Sequence, residues 1–105
     1  MSSAKPVRNH FHVALRSVRV AKGLSQEDFS LVSSRTYVSS LERGQKSATL
    51  GKVDELAGVL GVHPLTLLTL AYAKRNVPAD LDAVCGLVRQ ELESIQRSDS
   101  ANPFG

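Results

Sequence analysis

A short stretch near the middle of the chain, Arg35-Thr-Tyr-Val-Ser-Ser-Leu-Glu-Arg43, carries side chains suited to contact with another molecule. Read as a helix, it sets Val38 and Leu41, three apart, on one face. Arg35, Thr36, Ser39, Ser40 and Arg43 occupy the other. So narrow an apolar stripe leaves the helix half exposed. Short polar side chains allow close approach to base edges in a DNA groove. An arginine can fork onto guanine O6 and N7, and a threonine can bond to a base or touch a thymine methyl. Helix N-termini and nearby basic residues hold phosphates.

Other chemistries find little support. His10 and His12 stand two apart, a poor spacing for sharing a helix face, and lack a cysteine partner. With His63 distant, no zinc site is expected. Cys85 is the single cysteine, so no intramolecular disulfide forms, and a free thiol fits a reducing cytoplasm. It has no adjacent basic neighbour to activate it and reads as a small core or interface residue. Asp80, Asp82, Glu91 and Glu93 read as a solvated helix face. No nucleophile–base pair or metal motif occurs, so no catalytic residue, cofactor or small-molecule ligand is expected.

Charge is unevenly spread. Residues 1–46 hold eight basic and three acidic residues, a balance of +5. Residues 47–105 hold five basic and seven acidic, a balance of −2. A basic front half beside a mildly acidic back half suits a polyanion-binding face next to a separate assembly region. The polar N-terminus carries no apolar leader, and the longest apolar stretch, Val62–Ala73, is too short to span a bilayer. A cytoplasmic protein with no membrane association is expected.

The elements that must position Arg35–Arg43 are helical. A first helix is predicted from His10 to Lys22, with Asn9 as N-cap and Gly23 ending it. A second runs from Gln26 to Val32. Ser25 caps it, Asp28 stands at the capping-box position, and Leu24 and Phe29 stand at the hydrophobic-staple positions. Ser34 caps the third helix, Arg35–Arg43, which Gly44 ends. The fourth spans Leu50–Leu60, burying Leu50, Val53, Leu56, Ala57 and Leu60, before Gly61. The fifth starts at Pro64, a favoured first helical residue, and runs to Lys74. The sixth spans Ala79–Arg97, where Leu81, Val84, Val88, Leu92 and Ile95 form one amphipathic stripe. No strand-like alternation and no repeat occur.

Two short helices joined by a tight turn and followed by packing helices make the helix-turn-helix layout. Leu24-Ser-Gln-Glu-Asp-Phe29, Arg35-Thr-Tyr-Val-Ser-Ser-Leu-Glu-Arg-Gly44 and the segment Leu50 to Leu60-Gly-Val62 resemble the lambda-repressor-like (XRE) family of transcriptional regulators. The resemblance covers residues 11–72. It implies an all-α fold, a five-helix lambda-repressor-like DNA-binding domain, here with an additional C-terminal amphipathic helix. It also implies roles. Arg35, Thr36 and Ser40 match base-reading positions. Tyr37 and Ser39 match flanking positions that reach base edges or phosphates; Tyr37 is assigned to bases and Ser39 to phosphate. Gln26 matches a residue that contacts phosphate and supports a base reader. Arg43, Gln45 and Lys46 match the helix end and loop that follow the backbone. Arg19 and Glu42 match the family's internal ion pair and are assigned to structure. One departure stands out: from Gln26 to Leu41 the chain is two residues shorter than the usual spacing, and Ser33-Ser34 replaces the usual turn glycine. Either the second helix is trimmed or the turn is tighter.

The expected organisation is a disordered basic arm over residues 1–8 and a helix-turn-helix DNA-binding domain over 9–74. A C-terminal helix over 75–97 then serves dimerisation or core completion, and 98–105 form a disordered tail. The expected function is a homodimeric, sequence-specific regulator of double-stranded DNA, similar in size to restriction–modification controller proteins. The alternative is an antitoxin-like interaction module that uses its C-terminal helix.

Overall fold

The computed structural model describes residues 8–98. These form α1 (Phe11–Ala21), one 3-10 turn (Gln26–Phe29), α2 (Arg35–Glu42), α3 (Leu50–Leu60), α4 (Pro64–Tyr72) and α5 (Pro78–Ser98). No strand occurs among the described residues. Most of the predicted arm (1–8) and tail (98–105) lies outside them. By its contacts the chain divides after Tyr72 into two compact units, the first holding α1 to α4 and the second α5.

Local chemistry explains the helix boundaries. The N-cap of α1 is His10 rather than the expected Asn9, whose Oδ1 accepts from the Phe11 amide at 3.1 Å one residue ahead of the cap. The Ser34 and Thr49 hydroxyls accept from the Tyr37 and Lys52 amides, each at 3.1 Å, capping α2 and α3. His63 Nδ1 accepts from the Leu65 amide at 3.0 Å and opens α4. Pro64 and Pro78 each stand at a first helical position, where the absent N–H is not missed. Gly44 ends α2 at φ +72°, with the His12 ring 3.4 Å from where a Cβ would stand. Backbone strain and crowding together favour glycine there.

The core of the first unit joins Leu15 of α1, Phe29 of the 3-10 turn, Val38 and Leu41 of α2, Val53, Leu56, Ala57 and Leu60 of α3, and Leu67 of α4. The His10 amide donates to the Ala71 carbonyl at 2.6 Å and ties the start of α1 to the end of α4.

Three further expectations change. The second helix does not reach Val32: after Phe29 the chain turns, and the Val32 and Ser33 amides both bond to the Phe29 carbonyl. The two-residue shortening is thus taken from the helix. Leu31 is consequently 98% exposed. Leu50 lies 74% exposed on the first turn of α3 rather than in the core. The fifth helix stops at Tyr72, two residues before Lys74.

Candidate nucleic-acid interface

The 3-10 turn and α2 pack on each other through Phe29, Val38 and Leu41. That contact fixes which side of α2 faces outward. At about 100° per residue, Arg35, Thr36, Ser39 and Arg43 fall within an arc of about 100°, little more than one quadrant of the helix. Arg35, Thr36 and Arg43 are exposed and Ser39 is partly so. Arg43 donates to the Ser39 hydroxyl and, at 3.1 Å, to Gln45 Oε1. These three side chains form one polar string running from helix into loop.

Arg35 stands at the first position of α2. Its Nη1 lies 3.7 Å from Glu27 Oε1, and both side chains are well over half exposed. A pair this open to water holds little free energy, so the guanidinium is easily released to another partner.

Ser40 departs from its expected role. It is only 7% exposed, lying about 40° around the helix from Thr36 and away from the outer quadrant. It has little surface to offer a base edge. Tyr37 is half-buried against the core, with the Lys46 and Lys52 ammonium groups 5.7 and 5.8 Å from its ring centroid. The ring's negative faces favour cations there.

Behind this surface lies an ordered polar network. Arg19 Nε and Nη2 donate to the two Glu42 carboxylate oxygens at 2.6 and 2.9 Å. Arg19 Nη1 donates to the Leu24 carbonyl at 2.9 Å. Gln26 Nε2 adds a bond to Glu42 Oε1 at 3.1 Å. The Glu42 and Arg19 side chains are 4% and 13% exposed. Burial pushes the Glu42 carboxyl upward. Bonds from Arg19 and Gln26, with the charges of Arg19 and Arg16, more than offset this and hold it below the usual carboxylate range. The Glu42 hydrogen bond correspondingly raises Arg19, against its partial burial. The network clamps α1, the 3-10 turn and the end of α2 together. Gln26 is therefore turned toward Glu42 rather than toward one of the expected base readers.

Lys52 escaped the reading of the sequence. Its Nζ donates to the Val32 carbonyl at 2.6 Å and pairs with Glu55 at 2.8 Å, with the side chain 22% exposed. It holds the loop that enters α2. No local pattern announces this, because the acceptor is a backbone atom twenty residues earlier in the chain.

Comparison with known proteins follows the same segment. A family profile described as helix-turn-helix matches residues 15–67. Control protein C.BamHI of Bacillus amyloliquefaciens is 35% identical over 65 residues, covering 59% of this chain and 80% of that protein. An uncharacterised HTH-type transcriptional regulator, y4dJ, of Sinorhizobium fredii is 44% identical over 54 residues, covering 50% and 70%. Among solved structures, the restriction-modification controller protein C.AhdI from Aeromonas hydrophila is similar at TM-score 0.52 and 40% identity, over 55% of this chain and 91% of that one. The clp gene regulator ClgR from Corynebacterium glutamicum, 22% identical with TM-score 0.55, covers 88% of this chain and 92% of its own and shares the fold.

Proposed function

This chain belongs to the helix-turn-helix family of DNA-binding transcriptional regulators, and from that premise we propose that it reads a specific duplex sequence as a homodimer. The observation that carries the reading is the outer face of α2: Arg35, Thr36 and Arg43 stand open to solvent, with the partly exposed Ser39 among them. Arg35 and Thr36 read base edges in the major groove, joined by the half-buried Tyr37. Ser39, Arg43, Gln45 and Lys46 follow the phosphate backbone, and Gln26 braces the network behind them. Ser40 drops out of the base-reading set on account of its burial.

Residues 9–74 act as the DNA-binding part and residues 75–97 as the assembly part. Support for a dimer comes from apolar surface on the later helices, where Leu65, Leu87, Val88, Leu92 and Ile95 are about half exposed or more. Two copies related by a two-fold axis would address half-sites roughly 34 Å apart on one face of the duplex. The protein would work in the cytoplasm, where DNA is at hand. No single helix among the described residues is long and apolar enough to cross a membrane.

Selection of bound duplexes from a randomised pool, run beside a solution mass measurement, tests this reading. A two-fold symmetric motif and a dimer mass are expected. Recovery of unenriched sequence from the pool would overturn specific readout.

A further inference from the structure

We propose that α5 pairs antiparallel with the α5 of a second copy along Pro78, Leu81, Cys85, Val88, Leu92 and Ile95. The proposal rests on the homodimer reading above and names the surface that would make the dimer. These residues recur at intervals of three, four, three, four and three, the spacing of a coiled-coil seam. None of the 21 residues of α5 is buried, and Val88, Leu92 and Ile95 are 49%, 53% and 58% exposed. In proteins most of a helix's stability comes from packing its amphipathic face rather than from its own propensity. Covering its apolar stripe supplies what is missing.

The identity of the partner follows from the sequence of the stripe, which complements itself when reversed. About a two-fold axis between Gly86 and Leu87, Pro78 meets Ile95, Leu81 meets Leu92 and Cys85 meets Val88, each contact occurring twice. The same register brings Asp82 beside Arg89 of the second copy, again twice. Asp82 and Arg89 flank the seam on the same side and are both exposed. Among the described residues Arg89 is otherwise engaged only with Glu93 at 3.4 Å, an open pair with 82% and 51% of the two side chains exposed. A parallel pair would instead set Asp82 beside Val77 and Cys85 against Cys85, leaving the acid without a basic neighbour. Charge therefore selects the antiparallel arrangement.

Sedimentation equilibrium on the full chain tests the seam. Leu92→Asp should raise the dimer Kd roughly 30-fold or more, as a charge placed in an apolar contact does. Asp82→Arg and Arg89→Asp should each raise it about fivefold, and the double exchange should restore it, because the reversed charges still face each other. This restoration holds whether or not Leu92→Asp disturbs the helix. Under mild oxidant the wild-type chain should give little disulfide-linked dimer. Efficient linkage through Cys85, or a double exchange as weak as the single variants, overturns the antiparallel pairing. A dimer untouched by Leu92→Asp overturns the seam and leaves the homodimer reading standing. A wild-type chain that is monomeric both free and on DNA overturns both.

Discussion

The Lys52 ammonium donates to the Val32 main-chain carbonyl across 2.6 Å, joining the first turn of α3 to the loop that leads into α2. The bond compensates for a shortened second helix. Helical structure stops at Phe29, so no continuing helix satisfies the Val32 carbonyl. The lysine also stands beside the Tyr37 ring, and so contacts both the approach to α2 and α2 itself. Replacement by methionine keeps the aliphatic stem and removes the donor. Lys52→Met should lower stability by about 1–2 kcal/mol, read as a fall in the denaturant midpoint at unchanged slope. An unaltered midpoint would show that water replaces the ammonium without loss.

The Arg19–Glu42 pair makes stability depend on acid. The Glu42 carboxyl is held low in the folded chain, so the unfolded chain takes up its proton first as pH falls. Its contribution is whole above the unfolded value of about 4.3 and is lost as pH drops below that, through the folded value. Glu42→Gln should cost roughly 3 kcal/mol at neutral pH, because Arg19 is left with a neutral partner. The difference in Tm between wild type and Glu42→Gln should shrink from pH 6 to pH 3. A constant difference across that range would contradict the assignment.

Gly44 ends α2 in a left-handed conformation with the His12 ring close by. Gly44→Ala should destabilise the fold by about 1–2 kcal/mol, through strain and through crowding of His12. Thermal melts of the two proteins check this. Equal stability would mean that the loop relaxes at no cost.

Lys46 follows α2 in the loop and stands beside Tyr37 with an exposed ammonium. As a phosphate contact it should contribute equally to every sequence. Lys46→Ala should weaken specific and non-specific duplexes alike and reduce the slope of log affinity against log salt by about one. A loss confined to one sequence would make it a base reader instead.

Much of the fold was legible because its boundaries are written in local chemistry. Ser34, Gly44, Gly61 and Pro64 each mark a helix end through a cap, a positive φ or a missing donor. The end of the second helix was not legible. Ser25 and Asp28 mark its start, with Asp28 Oδ2 accepting from the Ser25 amide at 2.6 Å, but no glycine or proline marks its close. Leu31 and Val32 look like helix residues until the spacing to α2 is enforced in three dimensions.

The site divides in the same way. Arg19 and Glu42 were assigned to structure from the family pattern, and their geometry is that of a bidentate pair. Ser40 was misplaced because a serine carries no hydropathy signal that separates an outer face from a tucked one. Lys52 was missed because a lysine bonded to a distant carbonyl looks, in sequence, like any surface lysine.

The central claim is that the outer quadrant of α2 reads DNA, with Arg35 at its leading edge. The most direct measurement is the preference profile of the Arg35→Ala variant over a randomised duplex pool, set against that of the parent chain. If the guanidinium forks onto a guanine, discrimination at one position per half-site should fall by about 1–3 kcal/mol while the other positions keep theirs. A variant profile identical to the parent's would show that the sequence is read elsewhere.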